Sequence, residues 1–284
     1  MRFRSALFVA GFYSILLFLP SVTIGQTNAE FQVVFSRRVY KERGRSFQQI
    51  WIWKPATGVL RALTHSSRNH FFPICTGGKI NFFSSGYKWV PDSMLWSFDP
   101  TNGEERLIGP APMPATPEPA RTDNCEVFAK AESLEACGKE EDLSVSRDNK
   151  AIGHINISPD PNEQTPIASL EWSPDAKWLL VGAVEDVHEA DYFVVNPTMM
   201  KLTKVATAET ALWLPERDQI IFTTPQDLAQ LTGSYERHKH FANIYGEFLN
   251  VWVQHLVLFN PATGKSTALT SGLTDNFEAS LCSR

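Results

Sequence analysis

From residue 31 onward the chain alternates apolar and polar positions in short runs rich in β-branched and aromatic residues, with little helical spacing. One unit recurs: a strand ends in a turn and enters a second strand. Ile50-Trp51-Ile52-Trp53 runs through Lys54-Pro55-Ala56-Thr57-Gly58 into Leu60-Arg61-Ala62-Leu63-Thr64. Leu95-Trp96-Ser97-Phe98, Asp99-Pro100-Thr101-Asn102-Gly103 and Glu105-Arg106-Leu107-Ile108 repeat it, as do Leu256-Val257-Leu258-Phe259, Asn260-Pro261-Ala262-Thr263-Gly264 and Thr267-Ala268-Leu269-Thr270. A weaker copy is Tyr192-Phe193-Val194-Val195, Asn196-Pro197-Thr198 and Leu202-Thr203-Lys204-Val205. Pro fixes φ at the first turn position and Gly supplies a positive φ, so these residues build hairpins and need no ligand.

A second unit alternates with the first. Trp172-Ser173-Pro174-Asp175-Ala176-Lys177-Trp178-Leu179-Leu180 is its clearest copy. Ile74-Cys75-Thr76-Gly77-Gly78-Lys79-Ile80, Val145-Ser146-Arg147-Asp148-Asn149-Lys150-Ala151-Ile152 and Trp213-Leu214-Pro215-Glu216-Arg217-Asp218-Gln219-Ile220 follow the same plan. Two hairpins in succession make one four-stranded antiparallel sheet, the blade of a propeller. Pro55 and Pro100 are 45 residues apart, Pro197 and Pro261 64, and Pro100 and Pro197 97. At roughly 40–50 residues per blade, these intervals read as one blade, one blade with an insertion, and about two blades. The expected fold is all-β, a β-propeller of four-stranded antiparallel blades.

The alternating units resemble the TolB-like propeller repeat, of the form WSPDGK, which also occurs in the propeller domains of prolyl-oligopeptidase-type enzymes. The resemblance extends over residues 31–278 and is clearest at 50–108 and 167–222. It implies six blades in one domain spanning 26–284, with the strand at 31–37 closing the ring against C-terminal strands. That is information about fold, which hosts many unrelated functions.

Two segments break the repeat. Within 110–142, the proline-rich run from Pro110 to Pro119 reads as a polyproline connector, and 121–141 reads as a surface excursion with few strand signals. Within 226–253, Phe241, Ile244, Tyr245 and Phe248 fall at helical spacing, so a partly helical insertion is expected. Insertions on propeller loops are the usual binding elements. Tyr245, Trp252 and the loop residue Trp89 are therefore candidate binding residues.

Arg2 and Arg4 precede an apolar core at 6–20, and Thr23-Ile24-Gly25 supplies small residues after it. Residues 1–25 read as a signal peptide, the alternative being an uncleaved anchor, the one case in which the chain touches a membrane. The expected location is the periplasm or the exterior. Export turns the four cysteines into disulfide candidates with three possible pairings. Cys125 with Cys137 is preferred, because that bridge closes a short loop within one polar stretch. A net charge of −5 with scattered Lys and Arg excludes a nucleic-acid partner.

The chain contains no GxSxG elbow, HExxH pair, P-loop or GxGxxG turn. Glu185, Asp186 and Asp191 follow the strand at 179–184 and make a candidate Ca²⁺ or substrate site of hard oxygen ligands, the alternative being a solvated acidic turn. Catalytic residues and cofactors other than that Ca²⁺ are not expected. The sequence thus describes a non-enzymatic, monomeric, exported scaffold that binds a protein or peptide in the cell envelope. The alternatives are a propeller enzyme of lyase, lactonase or glycoside hydrolase type with an acid or metal site in the central channel, and an accessory subunit of an envelope enzyme.

Overall fold

The computed structural model describes residues 31–42, 45–66, 68–85, 94–110, 120–122, 125–158, 165–184, 190–215, 217–226, 253–272 and 274–282. Its regular elements are all strands. The first three, β1 (Gln32–Glu42), β2 (Arg45–Lys54) and β3 (Val59–Ala62), are joined by the final strand of the chain, β20 (Asp275–Cys282), in the order β20-β1-β2-β3. This is blade 1. Blade 2 is the meander β4 (Asn69–Thr76), β5 (Lys79–Ser85), β6 (Met94–Asp99) and β7 (Glu104–Pro110). Blade 3 is β8 (Val127–Ala131), β9 (Leu134–Lys139), β10 (Asp142–Arg147) and β11 (Lys150–Asn156). Blade 4 is β12 (Ile167–Trp172), β13 (Leu179–Val184), β14 (Ala190–Asn196) and β15 (Lys201–Ala208). Blade 5 is β16 (Ala211–Trp213), β17 (Ile220–Gln226), β18 (Val253–Asn260) and β19 (Lys265–Ala268). The described residues thus build five four-stranded antiparallel sheets. The sixth blade that the resemblance implies is not among them.

The surface excursion expected at 121–141 needs correction, because β8 and β9 lie inside it and form the first hairpin of blade 3. These strands carry Ala129, Ala131, Ala136 and Gly138 where other blades carry β-branched or aromatic residues, so their strand signal is weak. Small residues are required there by close packing. A Cβ on Gly138 would come within 2.9 Å of the Ile167 side chain of blade 4. The proline-rich connector and the insertion between β17 and β18 lie outside the described residues.

Successive residues of a strand point to opposite faces, and blades 1, 4 and 5 are covered on both. Val33, Phe35 and Trp53 of blade 1 pack with Leu214, Ile221 and Leu256 of blade 5. On the other face Val34, Ile50 and Ile52 pack with Ile80, Phe82 and Phe98 of blade 2. Two further buried clusters join blade 3 to blade 4 and blade 4 to blade 5. A sheet buried on both faces reads as a continuous apolar run, which is why Val33-Val34-Phe35 and Leu179-Leu180-Val181 do not alternate. The last strands of the blades, such as β7 and β19, are largely exposed along their length and form the rim.

Each recurrent motif has a structural use. In the Trp-Ser-Pro-Asp turn, Asp175 Oδ1 accepts from Ser173 Oγ (2.8 Å) and from the Lys177 N–H (3.1 Å), while Ser173 Oγ accepts the Trp178 N–H (3.0 Å). Trp172 Nε1 donates to Ala129 O of blade 3 at 3.2 Å, and Trp213 Nε1 donates to Glu171 O of blade 4 at 3.0 Å. Tryptophan therefore tethers its blade to the preceding one. Leu-Thr after the outer strand works likewise. Thr64 Oγ1 accepts the Ile50 N–H (3.0 Å) and Thr270 Oγ1 accepts the Leu256 N–H (3.0 Å), both across 14 residues. Asn69 Oδ1 and Asp275 Oδ1 accept from the Gln48 and Gln254 N–H groups, both across 21 residues. Side-chain oxygens thus satisfy buried backbone donors that no ladder reaches.

The two ends of the chain meet in blade 1 through β20, which runs antiparallel to β1 with Gln32 opposite Cys282 and Arg38 opposite Asp275. Cys282 is bonded to Cys75 on β4 of blade 2, across 207 residues. Glu278 reaches the same strand. Its Oε2 accepts the Phe72 N–H at 2.6 Å and the Ser36 hydroxyl at 2.6 Å. Phe72 and Glu278 both sit at a positive φ (50° and 56°), at irregularities in the β4–β5 and β1–β20 registers. Left-handed backbone in non-glycine residues costs of order 1 kcal/mol each, and here it aims the carboxylate of one bulge at the amide of the other. Burial pushes the Glu278 carboxyl up to about 7, against the opposing pull of those two hydrogen bonds; nearby Glu209 adds to the rise and Arg38 opposes it.

Two outcomes follow. In the chain-entropy picture, the 207-residue crosslink restrains the unfolded chain by about 5 kcal/mol and the 12-residue Cys125–Cys137 bridge by about 3. Cys75→Ser/Cys282→Ser should therefore lower the urea midpoint more than Cys125→Ser/Cys137→Ser; equal or reversed losses would refute that order. The Glu278 carboxyl has its folded value above the usual 4.5, so the folded chain holds more protons than the unfolded one between 4.5 and about 7. Its contribution is most favourable below 4.5 and is lost as pH rises to about 7. Glu278→Gln should match wild type near pH 4.5 and exceed it at pH 8 by up to about 3 kcal/mol, read from urea midpoints at each pH.

Candidate functional site

In an up-and-down meander, the first and third hairpin turns of each blade emerge on the same face. On that face, blades 3 and 4 leave a cavity of about 390 Å³ between them. Four turns wall it: Glu132-Ser133 after β8, the end of β10 at Arg147, Asp175-Ala176-Lys177 after β12, and Asn196-Pro197-Thr198 after β14. Local chemistry fixes each wall. Glu132, Asp148, Asn149, Ala176 and Met200 adopt positive φ and allow the tight reversals. Asn196 Oδ1 accepts the Thr198 and Met199 N–H groups at 3.0 and 3.1 Å, and the Asp148 N–H donates to Ser133 O at 3.0 Å.

Both signs of charge line the cavity, Glu132 and Asp175 facing Arg147 and Lys177. Lys177 Nζ contacts Asp175 Oδ2 at 2.5 Å. Partial burial raises the Asp175 carboxyl, but hydrogen bonds from the Lys177 ammonium, the Ser173 hydroxyl and the Lys177 N–H outweigh it and hold the group down at about 2. Asp218, in the corresponding turn of blade 5, shifts the other way, pushed up by burial and by Asp175. Asp175 is a carboxylate at neutral pH, so the rim of this face carries permanent charge.

A second group of acids lies on the first strands of three neighbouring blades. Glu171 is on β12, Glu209 precedes β16 and Glu278 is on β20. Burial pushes the Glu171 carboxyl up to about 7, although the side chain keeps accessible surface. Tyr192 is raised as well, by burial first, with the charges of Glu171 and Glu209 adding to it. Among the described residues, no three His, Cys, Asp or Glu side chains are placed to hold a metal ion.

The residues singled out from the sequence fall differently. Glu185, Asp186, Trp89, Tyr245 and Trp252 lie outside the described residues. Asp191 sits inside strand β14 and not in the following-strand loop expected for it, buried, with Lys204 Nζ at 2.5 Å and the Thr207 hydroxyl at 2.6 Å on its two oxygens. That carboxylate is already engaged by its own sheet. Cys125 and Cys137 are bonded to each other. The cavity residues and the raised glutamates were absent from the expectations. Turn motifs were read as hairpin builders, and nothing in a turn says which neighbouring turn it faces.

No family model matches this chain, and no curated protein does. Among solved structures, the chain is similar to the β-propeller domain of the Trilobed protease from Pyrococcus furiosus, at 12% identity and a TM-score of 0.32, over 72% of this chain and 58% of that one. It is also similar to TolB from Acinetobacter baumannii, at 10% identity and a TM-score of 0.28, over 84% and 53%. The tricorn protease aligns at 11% identity and a TM-score of 0.25, over 85% of this chain and 30% of that one. This chain thus spans less than two thirds of the length of each, and its propeller architecture rests on the five sheets themselves.

Proposed function

We propose that the chain is an exported, non-enzymatic scaffold that binds an extended polypeptide on the turn face of its propeller, in the cell envelope. The observation that supports this reading is the cavity between blades 3 and 4, with Arg147 and Lys177 set against Glu132 and Asp175. Fixed charges of both signs suit a polypeptide, whose side chains alternate in sign and whose backbone offers donors and acceptors. Turn residues held by their own hydrogen bonds also need little reordering on binding, which keeps the entropic cost low. The two disulfides fit an oxidising compartment. The chain acts as a monomer in this reading.

A second reading has one specific observation behind it. Glu171 and Glu278, on the first strands of blades 4 and 1 with blade 5 between them, have carboxyls near 7, the range of a general acid at neutral pH. A channel enzyme would use them on a lactone, glycoside or polyuronate. Turnover of one such substrate that Glu171→Gln abolishes would replace the scaffold reading.

The scaffold reading is tested with envelope polypeptides captured by the purified protein, identified by mass spectrometry and then titrated as synthetic peptides. Arg147→Glu/Lys177→Glu should weaken the captured peptide at least about tenfold, a loss of about 1.4 kcal/mol, and reduce the salt dependence, with the thermal midpoint unchanged. Unaltered affinity in that variant would place binding elsewhere.

A further inference from the structure

Arg37 on β1 is a charged residue placed where charge is costly. It is 8% exposed, at the joint between blade 1 and blade 5. Its guanidinium carbon lies 4.0 Å from the Trp51 ring centroid and 5.5 Å from that of Phe35, so the flat face rests on aromatic surface. Nε donates to Asn276 Oδ1 at 2.7 Å. Among the described residues no carboxylate pairs with it; Asp275, next along β20, pairs with Arg38. A buried charge without a counter-charge costs several kcal/mol.

The groups beside it are donors too. Asn276 Nδ2 donates to Gln254 O at 2.9 Å and to Thr270 Oγ1 at 3.2 Å, which brings β18 into the same cluster. Thr270 Oγ1 also accepts the Leu256 N–H at 3.0 Å, so both its lone pairs are used and its hydroxyl proton is left to donate. His255 Nδ1 lies 3.4 Å away and is the acceptor for it. That assignment puts the neutral imidazole proton on Nε2. His255 is 4% exposed, and its Nε2 is buried with no partner. Burial, and after it the charge of Arg37, lowers the ring's affinity for a second proton. The neighbouring Gln254 also has an unpartnered Oε1, and its amide offers N–H₂ when turned over. Arg37 and the unpartnered His255 Nε2 thus belong to one cluster, linked through Asn276 and Thr270, whose polar groups are a donor set suited to an oxyanion.

We propose that the joint between blades 1 and 5 binds a carboxylate, held end-on by the two terminal nitrogens of Arg37 and by His255 Nε2–H. Nε of Arg37 is occupied by Asn276, which leaves the terminal fork free, and a fork matches two carboxylate oxygens. Asn276 and the Trp51 ring fix the plane of that fork. The site is independent of the turn face, since it involves neither blade 3 nor blade 4.

The test uses the full mature chain and three probes: sodium acetate, inorganic phosphate, and short peptides with a free or an amidated C-terminus. Against sodium chloride of matched ionic strength, acetate or the free-acid peptide should raise the thermal midpoint in a saturable manner. Titration calorimetry gives the corresponding dissociation constants. His255→Asn, which keeps the ring pocket nearly filled but lacks Nε2–H, should weaken the carboxylate about tenfold. Arg37→Met, which fills the same aromatic slot without charge, should abolish the response while folding without the anion. A response to free-acid peptide and not to acetate identifies a polypeptide C-terminus as the source; response to both identifies any small carboxylate. The proposal fails if the wild-type midpoint follows ionic strength alone, if phosphate binds and no carboxylate does, or if either variant responds as wild type does. A variant that does not fold is replaced by Arg37→Lys, which keeps the charge, loses the fork and should bind acetate at least about tenfold more weakly.

Discussion

A sheet covered on both faces by its neighbours cannot leave a buried strand at an open edge, and in blade 1 that edge is β1 until the end of the chain pairs with it. β20 does this. It is the last strand of the chain and the first strand, in spatial order, of the blade that begins the chain. Its ladder to β1 satisfies the backbone of both strands. Its side chains then reach in two directions, toward β4 through Cys282 and Glu278 and toward β18 through Asp275 and Asn276. Without it, Val33, Val34 and Phe35, all fully buried, would lie on an edge strand facing water. The clusters that join blade 1 to blades 5 and 2 both pass through this strand pair.

The same constraint explains why polar residues recur at fixed offsets. Interblade packing takes the apolar faces and leaves backbone N–H groups beyond the ladders. Thr64 and Thr270, with Asn69 and Asp275, answer the same donors at the same separations in two blades. Tryptophan indoles answer carbonyls of the preceding blade. At Thr64, Thr270, Asn69, Trp172 and Trp213 the bond is made, and leaving such a group unmade in a dry interface costs more than the made bond contributes.

The packing of blades decides where charge is placed. Turns on one face are held by their own hydrogen bonds and carry both signs, the feature behind the proposed binding surface. Acids on first strands lose water and bind protons more tightly. At the blade 1–5 joint Arg37 and His255 belong to one hydrogen-bonded cluster through Asn276 and Thr270, the donor set proposed above for a carboxylate. Each of these results from packing blades against one another, and none belongs to a single blade.

The hairpins were legible in the sequence because a turn is a local object: Pro, Gly, Asn and Asp set φ and hydrogen bonds within a few residues. Strand alternation and the blade repeat followed from the same short-range physics, as did the pairing of Cys125 with Cys137. β8 and β9 were hidden because Ala and Gly, chosen for contact with blade 4, carry little strand signal of their own. Which residues became chemically unusual was decided only by tertiary structure. Arg37 and Asn276, Cys75 and Cys282, and Phe72 and Glu278 meet across 239, 207 and 206 residues. The burial that raises Glu278 and strands Arg37 without a counter-ion comes from neighbouring blades. Local sequence sets what a strand is, and the packing of blade on blade sets what its side chains face.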